Sequence, residues 1–256
     1  MVNTSEVVLL MGHGTRDAEG VGHFVHLHRA ICAAAVGRRV EAGFLEFGGS
    51  PIPFIHDVID RCVDEGIQRI LTVPILLHDA GHSNHDMPAQ VDGARARHPA
   101  LDVEMAEALG INPSLLQILE ERIADVDTCL GMRAPQDTSI LLVGRGTTND
   151  SANGDFFKVG RLLWERNRFG LVECAFVSLT EPSVPMGVER CARLGAKRLI
   201  VVPYFLHTGV LVKRIADQAR DTATRFPDLQ LGLADPMGVH PNLVRLILDR
   251  ITGRCR

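Results

Sequence analysis

The chain contains two copies of one sequence pattern, and this duplication constrains it to two domains of the same fold. The segment Gly12–Thr15 returns as Gly144–Thr147, 132 positions later, and Val40–Leu45 returns as Val172–Val177 at the same spacing. Such a repeat is far longer than the roughly 20 to 50 residues of a solenoid repeat, so it indicates a duplicated domain. The two predicted domains cover residues 1–128 and 138–256.

Apolar runs alternate with helical patterns along each copy. In the first copy, strands buried on both faces are predicted over Val7–Met11, Val40–Phe47, Arg69–Leu77 and Leu101–Ala106. Helices are predicted over Glu19–Val36, Pro51–Glu65, Ser83–Arg97 and Pro113–Ile123. This order predicts an α/β fold with two duplicated, doubly wound parallel-sheet domains that face each other across a cleft. A linker rich in turn-forming residues is predicted over Asp125–Thr138.

The two copies differ in chemistry at three matching positions. His13 is replaced by Arg145, Glu46 by Ser178 and His82 by Leu211. Nine of the eleven histidines lie before position 100. This distribution indicates that chemistry based on histidine side chains takes place in the first copy. His13, Glu46 and His82 each follow a predicted strand, and parallel α/β sheets bind ligands outside the carboxyl ends of their strands. We therefore predict a reactive centre in the first copy, with the degenerate second copy forming the opposite wall of the cleft.

Two imidazoles and one carboxylate form a ligand set for a divalent transition metal. The set suits Co²⁺, Ni²⁺, Fe²⁺ or Zn²⁺ and has too few oxygen atoms for a calcium site. A single histidine after a strand is more often a solvated loop residue, and Glu46 alone is most simply a surface carboxylate. The prediction depends on three such positions being replaced together in a copy that keeps the surrounding scaffold.

Other histidines have two interpretations each. His23, His26 and His28 fall on one predicted helix, where they form either a solvated face or a relay for metal ions. His85 is either an auxiliary ligand or a surface residue at the start of a helix. The role of these residues stays open at this point.

Composition narrows the classes of function. A formal net charge of −4 gives no basic excess for binding nucleic acid. The longest apolar runs are far shorter than the roughly 20 residues of a membrane span, and the first residues lack a basic segment, so we predict a cytoplasmic protein. The six cysteines form no CxxC pair and are interpreted as reduced thiols. No glycine-rich phosphate loop follows a strand, so no nucleotide is predicted.

Motifs in both copies resemble the class II chelatases of the CbiX type, which act on sirohydrochlorin. These motifs are His13–Asp17, Phe44–Phe47, Pro74–Leu77, Gly81–His82 and Asp86–Pro88 in the first copy, and Gly144–Gly146, Leu162–Glu165, Thr180–Pro182, Pro203–Leu206 and Thr208–Ile215 in the second. The resemblance covers nearly the whole chain and implies the long, internally duplicated form. It implies a lyase that inserts Co²⁺ or Fe²⁺ into sirohydrochlorin without ATP, for cobalamin or sirohaem biosynthesis. His13, Glu46 and His82 are then its catalytic residues and metal ligands.

The implied substrate is rich in carboxylates, which predicts cationic side chains near the cleft. The candidates are Arg16, Arg145, Lys213 and Arg214, each of which is otherwise a solvated surface charge. The resemblance also implies hand-over of the product to downstream tetrapyrrole enzymes. The chain has no histidine-rich tail and no cysteine cluster, so no iron–sulfur centre is predicted. Two rival functions stay open: a metal or tetrapyrrole carrier without turnover, and a metallohydrolase that uses ion-bound water.

Overall fold

The chain folds into two compact units of the same architecture. The structure, a computed structural model, describes residues 6–77 and 82–253, with the backbone alone for residues 82–85. The first unit combines the residues up to Gly110 with those from Val239 onward. The second unit is the continuous segment Ile111–Gly238. The second unit is therefore inserted into the sequence of the first.

A parallel four-stranded sheet forms the centre of the first unit. Its strands are β1 Glu6–Gly12, β2 Arg39–Phe44, β3 Arg69–Pro74 and β4 Asp102–Met105. Its helices are α1 Ala18–Ala34, α2 Ile55–Asp64, α3 His82–Arg97 and α8 Pro241–Thr252. The strand order is β2-β1-β3-β4. On the face covered by α2 and α3, Ile55, Ile59 and Val91 are buried in one cluster with Leu9 and Met11 of the central strand.

The second unit repeats this sheet with the same pairing. Its strands are β5 Ser139–Gly144, β6 Leu171–Phe176, β7 Arg198–Pro203 and β8 Gln230–Leu233, in the order β6-β5-β7-β8. Its helices are α4 Pro113–Cys129, α5 Asp150–Asn167, α6 Val184–Arg193 and α7 Val210–Ala223. Gly12 lies opposite Phe44 just as Gly144 lies opposite Phe176, so the register is the same under the 132-residue shift. The predicted α/β class with two duplicated parallel sheets is confirmed.

The last helix of each sequence repeat belongs to the unit whose sheet is formed by the other repeat. Helix α4 follows β4 in the chain but contacts β7, β8 and α5, whereas α8 follows β8 and contacts α1 and β3. Equivalent arginines fix both helices: Arg122 of α4 donates from Nη2 to the Met237 carbonyl at 2.8 Å, and Arg250 of α8 donates from Nη2 to the Leu109 carbonyl at 3.3 Å. The compact units therefore differ from the predicted ranges 1–128 and 138–256. The repeat shows where each helix lies in the sequence, but it does not show which of the two sheets that helix packs against.

Helix α4 extends into the predicted linker Asp125–Thr138. The linker prediction is wrong in its first part, because residues up to Cys129 are helical. Val126 packs so closely on β8 that a Cβ at Gly232 would lie 2.5 Å from its Cγ1. A short 3₁₀ turn at Pro135–Asp137 then leads into the second sheet.

Several element ends near the sheet edge also differ from the predictions. Strand β2 ends at Phe44 and not at Phe47, and β3 ends at Pro74 and not at Leu77. The chain turns back after β2, where the Phe44 amide donates to the Pro53 carbonyl at 2.8 Å. Because of this turn, α2 begins at Ile55 and not at Pro51.

Two composition-based predictions concern cysteines and membranes. The five cysteines in the described residues are free, and burial raises the pKa of both Cys174 and Cys191 to about 12. These two thiols therefore behave as small apolar core groups. Within residues 6–77 and 82–253, no helix is long and apolar enough to cross a membrane.

Candidate active site

The three predicted metal ligands follow adjacent strands of the first sheet. His13 directly follows β1, Glu46 lies two residues beyond β2, and His82 is the first residue of α3, which follows β3. Strands β1 and β3 are neighbours, and the connection after β1 runs to β2 on one side whereas the connection after β3 runs to β4 on the other. Such a switch in direction opens a crevice at the carboxyl ends of the strands, where α/β proteins bind ligands. The topology thus brings all three chain positions to one edge.

Backbone hydrogen bonds join the His13 and Glu46 segments. The Leu45 amide donates to the Gly12 carbonyl at 2.9 Å, and the Glu46 amide donates to the His13 carbonyl at 2.9 Å. The β1–β2 pairing therefore continues past the last residues of both strands. His13 is half-buried and Glu46 is exposed. This placement leaves both side chains accessible at the sheet edge.

The loop after His13 is fixed by a close backbone approach and by its own hydrogen bonds. Gly14 has φ +97°, and a Cβ at this position would collide with the Glu46 carbonyl oxygen. Asp17 caps α1 by accepting the Glu19 amide at 3.0 Å, while its own amide donates to Thr15 Oγ1 at 3.1 Å. The backbone around His13 is therefore fixed by its contacts with the Glu46 segment and by the hydrogen bonds of Asp17 at the start of α1.

Gly14→Ala is expected to lower the free energy of unfolding by about 2 kcal/mol or more, because the left-handed φ and the collision act together. Gly37→Ala is the matched control. Gly37 has φ +80° and no atom within 4 Å of an added Cβ, so its cost should be about 1 kcal/mol from the backbone alone. Urea unfolding of both variants measures the difference. Equal losses would show that the approach to Glu46 does not constrain the loop.

The segment after Glu46 forms a loop that the strand pattern does not predict. The sequence predicts Phe47 as the last residue of the second strand, but it lies in a loop with φ +56° and is 43% exposed. The Arg16 guanidinium carbon lies 4.5 Å from the centre of its ring. The Gly48-Gly49 pair that follows Phe47 is the sequence signal of this loop.

The third predicted ligand has a described backbone only. Helix α3 begins at His82, one residue before its predicted start, and the side chains of His82 and His85 lie outside the described residues. His78 lies entirely outside them. Among the side chains that the structure does describe, no group of three histidine, cysteine or acidic residues is placed to hold a metal ion. The complete His13, Glu46 and His82 set stays a prediction.

The histidines of α1 have separate environments. His28 Nε2 lies 3.0 Å from the Val40 carbonyl oxygen and 3.3 Å from Cys32 Sγ, so this side chain links α1 to β2. His26 is exposed, and His23 is half-buried. A structural role therefore accounts for His28.

The second sheet presents the same backbone with different side chains. Arg145 follows β5 as His13 follows β1, and the Ser178 amide donates to its carbonyl at 3.0 Å. Gly146 has φ +83°, and a Cβ there would collide with the Ser178 carbonyl oxygen. The loop geometry is thus retained where the imidazole and the carboxylate are lost.

Cationic residues predicted to bind substrate lie at these sheet edges. Arg145 is exposed directly after β5, and Lys213 and Arg214 are exposed near the start of α7, which follows the adjacent strand β7. Arg16 is exposed on the loop between β1 and α1. Each of the four therefore lies on a connection that leaves the carboxyl end of a strand.

Comparison with known proteins identifies relatives over the full length of both repeats. The family model CbiX matches residues 7–126 and again residues 139–253. A sirohydrochlorin cobaltochelatase from Priestia megaterium is 36% identical over 244 residues, which cover 95% of this chain and 78% of that protein. A sirohydrochlorin ferrochelatase from the same organism is 28% identical over 250 residues, which cover 98% of this chain and 91% of that protein.

A solved structure shares the fold. SirB from Bacillus subtilis with Fe³⁺ has a TM-score of 0.81 and 24% sequence identity to this chain, and the match covers 97% of this chain and 94% of that chain. The family match on each repeat and the 36% identity to a relative are independent of this likeness in fold. Together they show that the chain belongs to the CbiX family, as the sequence motifs predicted.

Proposed function

We propose that this protein inserts a divalent metal ion into sirohydrochlorin without ATP. The observation that carries the proposal is the 36% identity, over 95% of the chain, to a protein named sirohydrochlorin cobaltochelatase. The metal ion is a substrate of this reaction. The product would serve cobalamin or sirohaem biosynthesis and pass to downstream tetrapyrrole enzymes.

In this proposal the first unit holds the metal ion. His13 and His82 supply neutral imidazoles, and Glu46 supplies a carboxylate. Insertion releases two protons from pyrrole nitrogens, so a base must stand close to the ion. One of the imidazoles or the Glu46 carboxylate accepts these protons. The fixed loop between His13 and α1 supports this role, because a positioned base loses less freedom when it reacts.

The second unit binds the substrate in this proposal. Ser178 and Leu211 occupy the positions of Glu46 and His82 and offer neither a carboxylate nor an imidazole. Arg145, Lys213 and Arg214 instead offer cations on the equivalent connections. Guanidinium and ammonium groups form charge-assisted hydrogen bonds with carboxylates, which sirohydrochlorin carries around its rim.

We propose Co²⁺ as the preferred ion, with Fe²⁺ and Ni²⁺ as alternatives that the same ligands accommodate. The cobaltochelatase relative is 36% identical to this chain, whereas the ferrochelatase relative is 28% identical. The greater similarity to the cobalt enzyme supports this order of preference.

Anaerobic incubation of the purified protein with sirohydrochlorin and each ion in turn tests the function. We expect the absorption spectrum of the ring to change fastest with Co²⁺, at a rate proportional to the protein concentration. Binding of ring and metal without such acceleration would identify a carrier. Hydrolysis of esters or phosphates in the absence of any tetrapyrrole would instead identify a metallohydrolase.

Arg145→Ala is expected to raise the KM for sirohydrochlorin by about 10- to 100-fold, which corresponds to one charge-assisted hydrogen bond, and to leave metal affinity unchanged. Added salt should weaken substrate binding less in this variant than in the wild type. Arg133→Ala is the control. Arg133 is exposed on the segment that leads into β5, at the end of the strand opposite to Arg145. Loss of metal binding with retained affinity for the tetrapyrrole would contradict the division of roles between the units.

A further inference from the structure

Phe47 keeps a strained backbone conformation without burying its ring. Its φ of +56° is a genuine outlier for a bulky side chain. Full burial of the ring could offset such strain, but the residue is 43% exposed. The conformation therefore needs another explanation than packing of the core.

Both neighbours of Phe47 are fixed, and the same conformation occurs in the second copy. The Glu46 carbonyl packs against Gly14, and a Cβ at Gly48 would lie 2.5 Å from Phe54 Cγ. At the matching position of the second unit, Leu179 has φ +62° and is 60% exposed. Strained residues that the surrounding structure holds in place are concentrated at ligand-binding sites. The two loops therefore present a side chain outward at the same point of the sheet edge.

In the first copy this side chain is aromatic and is paired with a cation. The Arg16 guanidinium carbon lies 4.5 Å from the centre of the Phe47 ring, within the range of a cation–π contact. The position of Arg16 in the second copy is occupied by Thr148. Phe47 is also the chain neighbour of Glu46, whose amide is bonded to the His13 carbonyl. An aromatic surface and a positioned cation thus lie beside the predicted metal ligands.

We propose that Phe47 and Arg16 together form a binding contact that positions the tetrapyrrole on the first unit. The Phe47 ring packs against the conjugated face of the macrocycle, and the Arg16 guanidinium binds a peripheral carboxylate. A flat apolar face with carboxylates at its rim is the ligand chemistry that such a pair recognises. This contact rests on the proposed function, because it takes sirohydrochlorin as the ligand.

Binding of metal-free sirohydrochlorin tests the contact separately from insertion. Under anaerobic conditions, Phe47→Asn and Arg16→Gln should each bind the tetrapyrrole about 10-fold more weakly than the wild type, as expected for loss of an aromatic or a charged contact. Asparagine tolerates the left-handed backbone region, so Phe47→Asn removes the ring without imposing new strain. The double variant should lose less than the product of the two single effects, because the two side chains touch.

Arg225→Gln is the matched control. Arg225 lies over the Phe226 ring at 5.8 Å beyond the end of α7, so this substitution removes a similar pair at the other edge of a sheet. It should leave sirohydrochlorin affinity unchanged. Titration with Co²⁺ alone should give the same metal affinity for the wild type, Phe47→Asn and Arg16→Gln.

The outcomes separate this contact from the proposed function. Wild-type affinity for sirohydrochlorin in Phe47→Asn and Arg16→Gln, with insertion by the wild-type protein, would overturn the contact and leave the function standing. Weaker binding by both variants, without insertion by the wild type, would support the contact and overturn the function. A wild-type protein that does not bind sirohydrochlorin would overturn both.

Discussion

Replacing His13 by alanine is expected to lower the rate of metal insertion by about 100-fold or more, the usual loss when a positioned acid–base group is removed. His13 is half-buried where the central strand of the first sheet ends. Its bond with the Glu46 amide uses the backbone carbonyl, which alanine retains. The substitution should therefore remove the imidazole and keep the loop. Anaerobic steady-state kinetics with Co²⁺ and sirohydrochlorin measure the effect.

His98→Ala is the matched control for this experiment. His98 directly follows α3, at the amino-terminal edge of the same sheet, where its Nε2 lies 2.8 Å from Asp60 Oδ1. Its loss should leave the insertion rate unchanged. A His13→Ala protein that unfolds at the wild-type urea concentration and also turns over at the wild-type rate would remove His13 from the mechanism.

Replacing Arg198 by alanine is expected to lower the free energy of unfolding of the second unit by about 3 kcal/mol, because it breaks a buried charged pair on one side. The Arg198 side chain is fully buried. It donates to the Gly131 carbonyl at 2.7 Å, to the Asp127 carbonyl at 3.1 Å and to the Asp127 carboxylate. Without it, three acceptors at the end of α4 lose their partner. Urea unfolding followed by fluorescence of Trp164, the single tryptophan of the chain, reports on this unit.

Two further variants separate the effect of breaking the buried network on stability from the effect of losing a positive charge. Arg193→Ala removes an exposed pair with Glu189 at 2.6 Å and should cost about 0.5 kcal/mol or less. Arg198→Lys keeps the charge but lacks the planar fork that reaches several acceptors, so it should fall between the wild type and Arg198→Ala. Equal stabilities of Arg198→Ala and Arg193→Ala would show that the network does not hold α4.

The sequence predicted the parts of the fold that depend on local signals. The apolar run before Gly12 ends where the central strand ends, and His13 follows it as expected. The displacements between the repeats also predicted matching strand positions. The structure confirms this, since the same pairing register recurs in both sheets. The position of His13 beside the Glu46 backbone follows from these two signals.

Features that depend on tertiary packing could not be predicted in this way. Arg69 and Arg198 occupy matching positions at the start of β3 and β7. The Arg69 side chain is 54% exposed, whereas that of Arg198 is fully buried, because only Arg198 meets the end of α4. The left-handed conformation of Phe47 likewise depends on close contacts at the residues before and after it.

The insertion of the second unit into the first has a consequence for the order in which the protein can fold during synthesis. Domains usually fold from the amino terminus as the chain emerges from the ribosome. Here Ile111–Gly238 forms one continuous unit, whereas the first unit needs α8, whose last residue is Thr252. The second unit can therefore be complete while the first still lacks the helix that covers α1 and β3. The unit that carries His13 is synthesised first and completed last.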